Sequence, residues 1–164
     1  MNFFKKALVL SMSLISSVSF AETQVHEGGY VGLKAGMFML DLSGVDDPTL
    51  IGFQGGYSFG NNWSIELEYG TGSTDVKSVD IDVSSMGLYG IYRSEGQAYF
   101  LGKIGVAKNE IEISGGLSGE ADDTGLAYGL GGGYNFNQQF GIEAEYNIVD
   151  SDISVFAVTG RYMF

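Results

Sequence analysis

The stretch Gly56-Tyr57-Ser58-Phe59-Gly60-Asn61-Asn62-Trp63-Ser64-Ile65-Glu66-Leu67-Glu68-Tyr69 decides the fold. On its first arm Tyr57 and Phe59 alternate with Gly56 and Ser58. On its second arm Ile65, Leu67 and Tyr69 alternate with Ser64, Glu66 and Glu68. A period of two with one apolar face marks a β-strand, because successive side chains of an extended chain point to opposite sides. Between the arms, Gly60-Asn61-Asn62 supplies residues that tolerate positive φ, as a tight hairpin turn requires. The pattern returns without gaps 77 residues later, as Gly133-Tyr134-Asn135-Phe136-Asn137-Gln138-Gln139-Phe140-Gly141-Ile142-Glu143-Ala144-Glu145-Tyr146. Duplication of a hairpin, and convergence on what every such hairpin needs, explain the repeat equally well.

Outward from this hairpin the alternation continues. Val31, Leu33, Ala35 and Met37 share one face of a strand that begins at Tyr30, with Gly32, Lys34 and Gly36 on the other. Ile51 and Phe53 extend the first arm backwards, opposite Gly52 and Gln54. Segment 81–93 is apolar on both faces (Val83, Met86, Leu88, Tyr89, Ile91, Tyr92), so its register stays open. Segment 98–113 sets Phe100, Ile104 and Val106 against Leu101, Lys103 and Gly105, and segments 125–136, 140–148 and 152–164 complete a set of eight. Short connections at 60–62, 94–96 and 137–139 alternate with longer ones at 43–49, 72–79 and 109–123; the last, 149–151, is short and departs from the alternation. The expected fold is all-β, an eight-stranded antiparallel up-and-down transmembrane β-barrel with the longer loops facing outward.

Residues 1–21 have the layout of a cleavable secretory signal. Lys5 and Lys6 precede an apolar run over 7–18, and Ser19-Phe20-Ala21 places small residues before a cut after Ala21. The run is shorter than the roughly 20 residues a spanning helix needs. Cleavage leaves 143 residues, read as a periplasmic tail over 22–29 and one barrel domain over 30–164. It also removes two lysines and no acid, taking the formal net charge from −12 to −14. Such a surface repels nucleic acid, whose binding needs basic patches. No cysteine is present, which excludes disulfides, thiolate metal sites and a thiol nucleophile. The 26 glycines, single proline and 13% aromatic content suit a tightly packed all-β chain rather than a helical bundle.

Alternation alone fits a soluble lipocalin-like barrel with its faces inverted, so composition of the faces must choose. The polar face is mostly glycine with isolated charges of both signs, which suits a crowded interior. The opposite face carries Tyr57, Phe59, Trp63, Tyr69, Tyr134, Phe136, Phe140 and Tyr146, mostly near strand ends, as aromatic girdles at two membrane interfaces do. Lys34, Glu66, Glu68, Lys103, Glu143, Glu145 and Arg161 are then expected to form a luminal charge network, since buried charges need partners.

The opening Tyr30-Val31-Gly32-Leu33-Lys34-Ala35-Gly36, the Glu-x-Glu-Tyr strands at 66–69 and 143–146, and the closing Gly160-Arg161-Tyr162-Met163-Phe164 carry a resemblance. The mature chain resembles the small outer-membrane β-barrel family that includes the OmpA transmembrane domain, the OmpX and Ail type barrels and the opacity-protein-like group. The resemblance implies that Phe164, with Tyr162, Val158 and Phe156 at alternate positions before it, is the signal read by the barrel-assembly machinery. It also implies an outer-membrane location, contact with lipid and lipopolysaccharide, a monomer, and an extracellular or host surface ligand.

The outer-membrane barrel enzymes that this chain could resemble in size or architecture, of the lipid A acyltransferase, deacylase, phospholipase and omptin types, use a histidine, and the sole one here, His26, precedes the first strand on the periplasmic side. No catalytic residue, cofactor or metal site is expected. The acidic residues of the longer connections, among them Asp80, Asp82, Glu110, Glu112, Glu120, Asp122 and Asp123, have no EF-hand spacing and read as solvated. The expected role is structural or surface-interacting, in adhesion or in the envelope. A small-solute pore is the alternative, followed by a soluble periplasmic carrier of apolar ligands.

Overall fold

A computed structural model describes residues 27–40, 48–76, 79–114, 119–149 and 153–164. Ala21, His26, Lys77 and the acids Asp41, Asp46, Asp47, Asp150 and Asp152 lie outside them. Eight strands follow in order: β1 (Gly28–Leu40), β2 (Thr49–Ser58), β3 (Trp63–Val76), β4 (Val79–Arg93), β5 (Ala98–Ser114), β6 (Gly119–Asn135), β7 (Phe140–Ile148) and β8 (Ile153–Met163). Each pairs antiparallel with its neighbour in sequence, and β1 with β8 closes the barrel, from Tyr30 opposite Met163 to Leu40 opposite Ile153.

The hairpin that opened the sequence forms as read. Its arms pair from Tyr57 opposite Ile65 to Ile51 opposite Thr71. Gly60 at φ 75° and Asn62 at φ 70° make the turn, and Asn62 Nδ2 donates to Arg93 O at 2.8 Å, tying the turn to β4. The repeat turns by other means: Asn137 Oδ1 accepts from both Gln139 N and Phe140 N at 2.8 Å, an Asx-type cap that replaces the glycine.

Alternation divides the two faces without interruption. Lys34, Gln54, Glu66, Lys103, Glu143, Glu145, Thr159 and Arg161 are buried within the barrel, whereas Leu33 is 78% exposed, Leu130 74%, Ile51 67% and Leu126 64% on its exterior. A soluble carrier has the reverse arrangement, so that alternative fails. Exterior rings pack in pairs at the end bearing the short turns, the start of β1 and the end of β8: Trp63 with Tyr92 at 5.3 Å, Phe140 with Tyr162 at 5.0 Å and Tyr134 with Phe136 at 5.6 Å between centroids. Phe53 and Tyr69, 5.6 Å apart, stand nearer the other end.

Strand 4 takes the register that buries Val83, Tyr89, Ile91 and Arg93 and turns Met86, Leu88 and Tyr92 outward. The sequence could not choose because this interior is itself apolar in places. Two expected loops are corrected. Segments 72–79 and 109–123 are largely strand, since β3 continues to Val76, β4 starts at Val79, β5 continues to Ser114 and β6 starts at Gly119. Their carboxylates, poor strand formers, hid an alternation that persists in Glu110-Ile111-Glu112-Ile113. The apolar exterior on this side stops at the row Tyr69, Met86, and above it lie the laterally paired rows Thr71, Ser84, Glu110, Asp122 and Ser73, Asp82, Glu112, Glu120. Four strands thus continue beyond the apolar band, with polar residues in the rows that extend its exterior register.

Glycine allows the strands to approach. A Cβ on Gly36 would lie 2.0 Å from Phe156 O and 2.7 Å from Ala157 Cα, whereas one on Gly160 would meet nothing within 4 Å. Gly36→Ala is expected to lower the unfolding free energy by about 1–3 kcal/mol, and Gly160→Ala to change it by less than about 0.5 kcal/mol. Urea titration of the refolded protein in lipid vesicles measures both.

Candidate functional site: the luminal charge network

Period two drives charge inward from six of the eight strands. Lys34 comes from β1, Glu66 and Glu68 from β3, Arg93 from β4, Lys103 from β5, Glu143 and Glu145 from β7, and Arg161 from β8. The four cations match the four carboxylates, as a low-dielectric interior demands of charges that stay ionised.

Two layers can be distinguished. Nearer the short turns, Arg93 Nε donates to Glu143 Oε1 at 2.7 Å and its Nη2 to Glu143 Oε2 and Glu66 Oε2, both at 3.2 Å. Such a two-pronged guanidinium contact fixes orientation as well as charge. Arg161 Nη1 lies 3.4 Å from Glu143 Oε1. Tyr99 Oη donates to Glu143 at 2.7 Å and accepts from Arg161 Nη2 at 3.0 Å. The Tyr30 ring has the Arg93 and Arg161 guanidinium carbons 5.0 and 5.3 Å from its centroid. In the second layer, Lys34 Nζ lies 2.8 Å from Glu68 and 3.7 Å from Glu145, and Lys103 Nζ bonds both Glu145, at 2.6 Å, and Glu68.

All seven residues expected in the network are brought together, and one further charged residue was missed. Arg93 is its best-connected cation, but it lies on the strand whose register the sequence left open. Tyr30 and Tyr99 were missed as well, although a signal existed: Tyr30-x-x-x-Lys34-x-Gly36 recurs as Tyr99-x-x-x-Lys103-x-Gly105. The glycines of the hairpin repeat make room for these rings, since a Cβ on Gly56 would sit 2.5 Å from the Tyr30 ring and one on Gly133 2.4 Å from that of Tyr99. Strands β1–β4 and β5–β8 therefore contribute equivalent sets: Tyr30, Lys34, Glu66, Glu68 and Arg93, then Tyr99, Lys103, Glu143, Glu145 and Arg161.

Oxygens of Glu66, Glu68 and Glu145 lie within 4.8 Å of one another, close enough for one cation. Lys34, Lys103 and Arg93 already supply positive charge there, so a metal would have to displace an ammonium or guanidinium group. Beside Lys34 and Glu68 a cavity of about 20 Å³, bordered also by Ser85 and Asn147, has room for one water. Above it Phe38, Leu50, Val83, Val149 and Val155 fill the barrel with apolar side chains. Their burial and that of the charges leave no wide aqueous path among the described residues.

An apolar exterior around a filled, charge-neutral interior defines a membrane-spanning β-barrel with a plugged lumen. The chain belongs to the outer membrane protein β-barrel domain family, which it matches over residues 7–162, and the outer membrane is its location. Among solved structures it is similar to Neisserial surface protein A, with 18% identity, a TM-score of 0.71, and 84% of this chain and 97% of the other covered. It is likewise similar to the N-terminal β-barrel domain of Pseudomonas aeruginosa OprF (18% identity, TM-score 0.66, 85% and 100% covered). Ail, the attachment invasion locus protein of Yersinia pestis, has 21% identity, a TM-score of 0.61, and 84% and 99% covered; a second Ail structure is a complex with the heparin analogue sucrose octasulfate. These identities speak for the fold. No curated protein matches the sequence.

Proposed function

We propose that this chain is a monomeric, non-catalytic surface protein that acts through the end of the barrel opposite its short turns, in adhesion or envelope interaction, and does not work as a pore. Export uses residues 1–21, removed after Ala21, and the barrel-assembly machinery reads the terminal Phe156, Val158, Tyr162 and Phe164. The interior carries the reading: eight charged side chains neutralise one another beneath an apolar layer, so the barrel wall supports an exposed end rather than a passage. Strands β3–β6, continuing past the apolar band, provide the surface that a partner meets.

The chemistry of that surface differs from what a polyanion requires. Ail has been seen with a heparin analogue, whereas here the rising strands carry Asp82, Glu110, Glu112, Glu120, Asp122 and Asp123, and the whole chain has 20 acidic against 8 basic residues. Coulomb repulsion turns sulfated polysaccharide away and favours cationic partners. Two measurements test the proposal. Planar bilayers containing the refolded protein are expected to show no large steady conductance, and protease added to intact cells is expected to cut within 109–123. A stable open channel, or complete protection of that segment on cells where an added epitope at the short-turn end is cut, overturns it.

A further inference from the structure

At the short-turn end of the barrel, the β6–β7 turn and the last residues of β8 border an open hollow of about 620 Å³, lined by Asn137, Gln138, Gln139, Met163 and Phe164. Its size falls within the range of about 300–1,000 Å³ usual for small-molecule sites. Backbone and cap contacts build it. Met163 N donates to Gln139 O at 2.7 Å, tying the end of β8 to the turn, and Asn137 Oδ1 holds the turn closed by accepting from Gln139 N and Phe140 N. The Phe164 ring lies against the backbone of Gly29, where a Cβ would come within 2.7 Å of its Cε2, and the rest of the ring is exposed.

The backbone of this turn does not ask for its glutamines. In the matching turn of the hairpin repeat, Gly60 and Asn62 take φ of 75° and 70°, a conformation that favours glycine and asparagine. Gln138 and Gln139 stand where Asn61 and Asn62 stand in that copy. Yet no residue of 137–139 has a positive φ, and glutamine is not among the residues that turns favour. Both side chains are exposed, and neither meets a hydrogen-bond partner among the described residues. Charge is missing too: segments 134–142 and 162–164 contain no acidic or basic residue.

We propose that this hollow binds an uncharged glycan, a short chain of acetamido sugars, with Gln138 and Gln139 bonding its polar groups and Phe164 packing on the face of a sugar ring. The site lies at the opposite end from the surface role above and is independent of it. None of the five bordering residues carries a charge, so an ionic ligand finds no counter-charge and its desolvation is not repaid. A carboxamide both donates and accepts hydrogen bonds. Hydroxyl and acetamido groups do the same, so each polar group of the sugar can be matched whichever way it points. The exposed Phe164 ring and the Met163 thioether offer apolar surface to the C–H face of the sugar.

The test uses the mature protein refolded in micelles of a zwitterionic detergent, which has no sugar headgroup to compete, titrated with the trimer of N-acetylglucosamine. Shifts of the Gln138 and Gln139 side-chain amide resonances are expected, with saturation transfer from the Phe164 ring to the sugar. The affinity is expected to change little with salt, because no charge takes part. Gln138→Ala with Gln139→Ala is expected to weaken binding about tenfold, and Phe164→Leu to weaken it severalfold. Gln97→Ala, on the β4–β5 turn outside the hollow, leaves binding unchanged, and the amide spectrum of each variant reports that the barrel has folded. No binding, equal binding by the double glutamine variant or by Phe164→Leu, or binding that falls steeply with salt overturns the proposal. So does loss of binding when the micelles are exchanged for phosphatidylethanolamine nanodiscs, since the hollow then holds lipid.

Discussion

Arg93→Met is expected to lower the stability of the barrel by about 3–5 kcal/mol, the usual consequence of removing one member of a buried ionic group. The guanidinium is the one group that bonds both Glu66 and Glu143, through three contacts of 2.7 to 3.2 Å, and both carboxylates are fully buried. Without it Glu143 keeps Arg161 and Tyr99, whereas Glu66 loses its ion-pair partner and is left with groups such as the Gln54 amide, 3.0 Å away, that carry no positive charge. Adding Glu66→Gln to Arg93→Met is expected to recover part of the loss, because a neutral amide is far cheaper to bury than an unpaired carboxylate. Lys108→Met is the control. Its 2.6 Å contact with Glu110 is half-exposed, and such pairs contribute about 1 kcal/mol or less. Urea unfolding in lipid vesicles measures all three. Equal effects of Arg93→Met and Lys108→Met would show that water solvates the interior charges, and would reopen the pore reading.

Deleting Phe164, or replacing it with aspartate, is expected to reduce barrel recovered from the outer membrane several-fold while barely changing stability after refolding in detergent. The ring is 69% exposed on the barrel exterior, so truncation opens no core cavity; the described contacts at stake are the bond from Phe164 N to Gly29 O at 3.0 Å and a ring contact with Tyr162, 6.4 Å between centroids. A role in assembly predicts that yield and stability separate. Were yield unchanged, the reading of Phe156, Val158, Tyr162 and Phe164 as an assembly signal would be wrong.

Glu66, Glu68, Glu143 and Glu145 were legible as luminal residues because Ile65, Leu67, Ile142 and Ala144 alternate with them, and a period of two leaves no third direction. Lys34, Lys103 and Arg161 followed from the same rule. Arg93 did not, since Tyr89 and Ile91 are as apolar as Leu88 and Tyr92. What decides between those faces is β3: Trp63 must lie opposite Tyr92 and Leu67 opposite Leu88, a choice made by a neighbouring strand. The hairpin repeat was visible, but the Tyr-x-x-x-Lys-x-Gly repeat preceding it escaped because it recurs at a spacing of 69 rather than 77.

Local alternation, turn residues and the balance of glycine and aromatics by themselves determined that the chain forms eight antiparallel strands with an apolar exterior, since side-chain direction along a strand is a property of the strand alone. Partnership is not. Which cation meets which carboxylate, and how far the β3–β6 ladders continue beyond those of β7 and β8, were decided only by tertiary structure. Those facts depend on register between strands and on the lengths of adjacent ladders, which closure of the barrel sets from groups far apart in the chain.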